Sequence, residues 1–318
     1  MSAAYTYDEL IQELDRLYDD GQHQAGLDLL LPLLDGFTDP VERRELLLWQ
    51  VALAAQAGQL DLGVTTLAAA LDEGHWYPPV WLTEEDDFAP LHGREGYERL
   101  VAVCTARVQQ IEASIEPFRA EAVPSGEGPH PLLLALHGNE SSAKGWVSKF
   151  RLAVTDGWLV ALPQSSQVCG PDKYIWDDRD RAVAEVTGHF SELQDAYAID
   201  AEQIVIGGFS MGAETALFLA LTGQIPARGV IAVIPGGPYM ADPDQWTALL
   251  QRVFPPEGLR VYLIAGLDDH FYAGAVRLAE ILDEAGIACE LVGIPEMGHD
   301  LPPNFRDNLK DALNFIMA

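Results

Sequence analysis

Three short stretches of the chain carry residue types able to make and break an acyl bond. Gly208-Phe209-Ser210-Met211-Gly212 follows the apolar run Ile204-Val205-Ile206 and precedes a helical pattern from Ala213 to Ala220. A serine on a tight strand-to-helix turn stands clear of the sheet edge, and glycines flank it because side chains would collide there. A serine hydroxyl is a poor nucleophile at neutral pH, so it needs a base, most often histidine, and an acid that fixes the histidine tautomer. Both follow downstream. Gly266-Leu267-Asp268-Asp269 ends the apolar run Val261 to Ala265, and Gly298-His299 follows the last strand-like pattern. The order is therefore Ser210, then Asp268 or Asp269, then His299, each just after a strand, where open α/β sheets place their sites.

Of the eight histidines, His270 is the chief rival base. It adjoins the candidate acids, however, and an acid must orient its histidine from a different loop. His23, His75, His92 and His130 lie outside the strand-helix pattern, His189 is mid-helix, and His137 borders another loop of interest. A tetrahedral intermediate needs preorganised donors for its oxyanion. One is the backbone N–H of Met211, directly after the serine. The other is expected from His137-Gly138-Asn139, with the Asn139 amide first and Gly138 second.

These residues need elements to hold them. Over residues 5–114 apolar positions fall at helical spacing, as in Leu10, Ile11, Leu14, Leu17 and Tyr18. Gly21-Gln22 with Gly26, Leu30 and Leu34 is echoed 37 residues later by Gly58-Gln59 with Gly63, Leu67 and Leu71, a pattern that resembles a tetratricopeptide-like helical hairpin. Residues 75–91 read as a degenerate third hairpin leading into a helix over 96–114, and Glu84 to Asp87 as a solvated helix start rather than a calcium loop.

After residue 114 the period changes. A strand over 115–123, a hairpin turn over 124–129 and a buried strand over 132–136 open the second part. Strands over 158–162, 203–207, 229–234, 260–265 and 290–294 then alternate with amphipathic stretches over 143–155, 179–196, 211–221, 243–253, 272–285 and 304–316. Such alternation implies an α/β domain with a mostly parallel sheet and helices on both faces. The expected organisation is an all-α domain over 1–114 and an α/β catalytic domain over 115–318.

Composition excludes some partners. The formal charge is −30, from 19 Lys and Arg against 49 Asp and Glu, which repels phosphate backbones and anionic lipid headgroups. Nucleic-acid binding and membrane insertion are not expected. No apolar run approaches the roughly 18 residues of a bilayer span, and Met1 to Asp8 has no basic or apolar leader character, so a cytoplasmic protein is expected. Cys104, Cys169 and Cys289 are too few and scattered for a disulfide framework or a cysteine zinc site. No metal-ligand spacing, dinucleotide fingerprint or phosphate loop is found, and no cofactor is expected.

Together, Leu136-His137-Gly138, Gly207 to Ala213, Gly266-Leu267-Asp268-Asp269 and Met297-Gly298-His299 resemble an α/β-hydrolase serine esterase of the carboxylesterase, phospholipase and dienelactone-hydrolase branch, over about residues 115–318. The resemblance implies an acyl-enzyme with Ser210 as nucleophile and His299 as base. The Gly-x-x-Asp spacing of related enzymes favours Asp269 as acid. Many esterases of this branch carry Gln after the nucleophile and a second Gly after the motif. Met211 and Ala213 stand there instead, as in some peptidase-like relatives.

Only about 20 residues separate two late strands, which leaves no room for a large cap there and implies a shallow acyl site. Short to medium acyl or aryl esters are the expected substrates. Glu140, Trp146, Tyr174, Trp176 and Tyr239 are candidate substrate contacts. An oligopeptidase or thioesterase on the same machinery is the enzymatic alternative. A helical-repeat scaffold for a protein partner or self-association, with a low-activity hydrolase domain, is the non-enzymatic one.

Overall fold

A strand buried on both faces reads as an unbroken apolar run, whereas a helix with one buried stripe alternates in threes and fours. The chain is divided accordingly. The computed structural model describes residues 5–318 and separates after Ser114 into two compact units.

The first unit holds α1 (Tyr7–Asp19), α2 (His23–Leu30), α3 (Pro40–Gln56), α4 (Leu60–Asp72), α5 (Pro79–Glu84) and α6 (Glu95–Glu112). A reciprocal capping box between Thr6 and Glu9 starts α1, and Asp39 with Pro40 starts α3. The sequence echo is also a structural one. Gly21 and Gly58 turn left-handed at φ 68° and 75°, and Gln22 and Gln59 then open α2 and α4 with nearly equal backbone angles. A Cβ on Gly26 would stand 2.9 Å from Leu53 Cδ2, so a small residue is needed where α2 packs on α3. Of the acidic run, Glu84 ends α5, while Asp86 and Asp87 open a 3-10 turn over Asp86–Leu91. Leu10, Leu14, Leu27, Leu53 and Tyr97 are among this unit's core residues.

The second unit contains β1 (Arg119–Ala122), β2 (His130–Leu136), α7 (Ala143–Phe150), β3 (Leu159–Pro163), β4 (Gln167–Gly170), β5 (Lys173–Ile175), α8 (Arg179–Ala196) and β6 (Ile199–Phe209). It continues with α9 (Met211–Leu221), β7 (Gly229–Val233), α10 (Pro238–Ala241), α11 (Asp244–Leu250), β8 (Arg260–Gly266), α12 (Tyr272–Glu284), β9 (Ala288–Ile294) and α13 (Phe305–Met317). Seven strands form one sheet in the order β1-β3-β2-β6-β7-β8-β9, parallel throughout except where β1 runs against β3.

Alternate residues of each central strand feed opposite cores. Leu134, Ile206 and Leu263 pack in the core that contains residues of α8, α9 and α12. Leu133, Val205 and Ile264 pack in the one that contains residues of α7 and α13. The chain steps from β2 outward to β3 and returns to β6 on the other side of β2. This reversal opens a crevice at the carboxyl ends of β2 and β6, where register pairs Leu136 with Gly208.

Several expectations are corrected in detail. The first strand is four residues long and pairs with β3, so the turn over 124–129 does not join neighbouring strands. The helix expected over 143–155 tightens to 3-10 geometry after Phe150 and stops at left-handed Gly157. The loop over 164–178 contains the hairpin of β4 and β5. Residues 236–253 form two short helices, α10 opened by Pro238 and α11, in place of one helix after a loop. Among the described residues no helix is long and apolar enough to cross a membrane.

Candidate active site

Ser210 occupies the turn between β6 and α9 at φ 52°, ψ −126°, a conformation that L residues adopt only under tertiary constraint. Its N–H donates to Val233 O at 3.0 Å, tying the turn to the end of β7. The glycines have a steric reason. A Cβ on Gly208 would lie 2.5 Å from Gly212 C, and one on Gly212 would lie 2.2 Å from His137 O. α9 starts at Met211, whose N–H, at a helix N-terminus, has no acceptor within the helix.

Asp269 and His299 come from loops that cross. A Cβ on Gly266 would meet Met297 O at 2.2 Å, and the Leu267 and Asp268 N–H groups donate to Ile294 O and Met297 O. The segment after β9 therefore lies against the end of β8, which brings His299 to Asp269. His299 Nδ1 is 2.8 Å from Asp269 Oδ2, and His299 Nε2 is 2.7 Å from Ser210 Oγ. The Asp269 side chain is 2% exposed, and its Oδ1 accepts the Phe271 N–H at 2.8 Å. Asp268 is exposed and takes no part in this chain. His270 is exposed, with Nδ1 3.4 Å from Asp269 Oδ1.

The loop after β2 is held as firmly. His137 is fully buried. Its Nε2 accepts from Gln164 Nε2 at 3.0 Å and from the Ser165 N–H at 3.3 Å, which assigns its proton to Nδ1, 2.8 Å from Gly138 O. Burial pushes its pKa down to about 4, so the ring is neutral at neutral pH. The Asn139 side chain accepts from the Trp176 N–H at 2.9 Å and donates to Asp177 Oδ1 at 2.7 Å. Trp176 Nε1 donates to His137 O at 2.9 Å. Side chains distant in sequence thus fix the backbone around Asn139.

A further cluster underlies the loop after β7. Glu214, one turn into α9, is wholly buried and pairs with Arg179 Nη2 at 2.6 Å. Its other oxygen accepts the N–H groups of Tyr239 and Met240 at 2.9 and 3.0 Å. Burial raises the Glu214 pKa, against the opposing pull of Arg179 and the two amides. The Arg179 guanidinium lies over the rings of Phe218 and Tyr239 at 4.8 and 4.0 Å.

Comparison with known proteins bears on the fold. Residues 178–317 match the family model described as Phospholipase/Carboxylesterase, and residues 6–112 match "A/B hydrolase-like, N-terminal domain". No curated protein matches the sequence. An uncharacterized protein from Bacillus cereus ATCC 10987 is similar over 98% of this chain and 99% of its own, at 24% identity and a TM-score of 0.54. Esterase PE8 is similar over 64% of this chain and 99% of its own, at 20% identity and a TM-score of 0.52. A dienelactone hydrolase-like promiscuous phosphotriesterase from metagenomic libraries covers 65% of this chain and 94% of its own, at 13% identity and a TM-score of 0.51.

The second unit has the α/β-hydrolase fold. Its family match is to the Phospholipase/Carboxylesterase model, and the helical unit before it matches the A/B hydrolase-like N-terminal domain.

Within this fold the five candidate substrate contacts fall into different places. Trp146 is half-buried and stacks on Phe209 at 4.5 Å, and the Phe209 ring lies 5.4 Å from that of His299. Glu140 is exposed at φ 56° and pairs with Lys173. Tyr174 is half-buried, its N–H bound to Ser141 O. Tyr239 is half-buried against Arg179 and Trp246. Trp176 is corrected: at 0% exposure it supports the His137 loop from behind and offers no surface to a ligand. Cys169, in the β4–β5 hairpin, is buried.

Gln164, Ser165, Asp177, Arg179, Phe209, Glu214 and Phe271 were not singled out by sequence reasoning. Glu214 had a signal, being the one charged residue in the run Met211 to Leu221, where only Thr215 is otherwise polar. Phe271, whose ring lies 5.9 Å from that of His299, had none.

Proposed function

We propose that the chain is a serine esterase that cleaves short to medium acyl or aryl esters through an acyl-enzyme. The observation that carries this is the unbroken hydrogen-bonded chain from Ser210 Oγ through both nitrogens of His299 to Asp269 Oδ2, at 2.7 and 2.8 Å. In this reading Ser210 Oγ attacks the acyl carbon while His299 Nε2 takes its proton, and Asp269 holds the ring and stabilises the imidazolium. The carbonyl oxygen becomes an oxyanion received by the Met211 and Asn139 N–H groups. Collapse breaks the ester C–O bond, and the departing alkoxide takes the proton from His299. Water then repeats the sequence on the acyl-enzyme, releasing the acid and restoring Ser210.

The substrate range is supported by the two short helices that replace any cap between β7 and β8 and by the aromatic pair Trp146 and Phe209 beside His299. A flat aromatic wall suits an aryl or short acyl group better than a long chain needing enclosure. The test is initial rates on p-nitrophenyl esters from acetate to palmitate, with wild type and Ser210→Ala. Rates that peak at short chains and vanish in the variant support the reading. No turnover above the variant's background on any ester refutes it.

A further inference from the structure

His270 is not needed to complete the hydrogen-bonded chain, yet it is placed against it. Its Nδ1 is 3.4 Å from Asp269 Oδ1, and its ring lies 5.5 Å from that of His299 at an interplanar angle of 35°. One donor atom from each of Asp269, His270 and His299 lies within 4.8 Å of the other two. Ligands on a tetrahedral zinc ion at bond lengths of about 2.0–2.2 Å are themselves about 3.3–3.6 Å apart. The trio is thus within small side-chain rotations of a three-ligand site with a fourth position open. Two imidazoles and one carboxylate suit zinc and similar borderline cations, whereas calcium and magnesium prefer all-oxygen sets. Access is from solvent, because the His270 side chain is 70% exposed and that of His299 28%. The net charge of −30 favours cation approach.

We propose that Asp269, His270 and His299 form an inhibitory site for a zinc-like divalent cation. The ion takes the Nδ1 lone pair of His299, and the proton that Nδ1 carried moves to Nε2. The ring stays neutral with one proton, so nothing else is consumed or released. Nε2 then donates to Ser210 Oγ instead of accepting from it, and the base is lost until the ion leaves. The inhibitory consequence rests on the esterase reading; the binding site does not.

The test uses the full chain, treated with EDTA and desalted. Calorimetric titration with zinc chloride is expected to find one tight site in wild type and in Ser210→Ala. That site should weaken about tenfold or more in His270→Ala, since even the outer partners of metal ligands contribute about tenfold to a hundredfold. In parallel, zinc should inhibit wild-type ester hydrolysis and EDTA should restore it. His270→Ala should keep its metal-free rate within about twofold and need about tenfold more zinc for the same inhibition. Equal zinc binding by wild type and His270→Ala, or no tight site in wild type, overturns the assignment. Binding at His270 without inhibition overturns the tautomer exchange. If no ester is cleaved the esterase reading falls, and calorimetry on the same proteins still decides the site.

Discussion

Replacing Asp269 by Asn changes a single atom, and the surroundings determine which way that atom points. Asp269 Oδ1 accepts the Phe271 N–H at 2.8 Å. That backbone donor needs an acceptor, so an asparagine carbonyl oxygen takes its place. The amide NH2 is then left facing His299 Nδ1, 2.8 Å away in the wild type. A donor there forces Nδ1 to accept, which moves the ring proton to Nε2 and makes His299 a donor to Ser210. Tautomer inversion of this kind costs about 10⁴ in kcat, or roughly 5.5 kcal/mol of transition-state stabilisation, with the fold intact. The assay is kcat on the best p-nitrophenyl ester, with near-ultraviolet circular dichroism to verify packing. Asp268→Asn is the internal control, because Asp268 is exposed, and its rate should stay within about twofold. If Asp269→Asn kept more than about a tenth of the rate, or Asp268→Asn fell as far, the acid would be misassigned.

Three other outcomes follow from the packing. Gly212→Ala puts a Cβ 2.2 Å from His137 O and 2.8 Å from Leu136 O; moving that backbone should cost about a hundredfold in kcat/KM, whereas Gly145→Ala, with its nearest atom at 3.6 Å, should be near neutral. His137, pushed down to about 4 in the fold against 6.5 as its ordinary value, binds its proton more readily in the unfolded chain. Stability from this residue is therefore full above about pH 6.5 and falls on acidification, by about 2 kcal/mol at pH 5. Urea titrations should show that slope reduced in His137→Asn. Glu214→Ala strips Arg179 and the Tyr239 N–H of their acceptor, leaving the Met240 N–H only Gly237 O, and should destabilise the second unit by about 3 kcal/mol or more in urea unfolding.

What the sequence disclosed about the site is local. Ser210 is readable because its neighbours are its structural context: an apolar strand before it, a helix after it and glycines where no Cβ fits. Strand ends locate Asp269 and His299 in the same way. The supports around His137 are another matter. Gln164 and Ser165 lie 27 and 28 residues beyond it, and the Asn139 contacts to Trp176 and Asp177 span 37 and 38. No periodicity encodes such pairings, which depend on how β3 and the β4–β5 hairpin return to the sheet. The same blindness misread Trp176, since an indole in a loop looks like a wall until its N–H is seen bound to a carbonyl behind it. The course of β1 failed for a related reason, because an edge strand's partner is chosen by topology rather than by its own four residues.

The backbone at Ser210 has a meaning for the evolution of heat resistance. A side chain held at φ 52°, ψ −126° costs roughly 1–3 kcal/mol relative to a glycine there, and the bond to His299 returns only about 1 kcal/mol. Ser210→Gly should therefore leave the fold as stable or about 1 kcal/mol more stable, though without the proposed nucleophile. Selection on heat survival alone would drift toward that inert protein, so a screen for hardier variants must make each survivor turn over substrate.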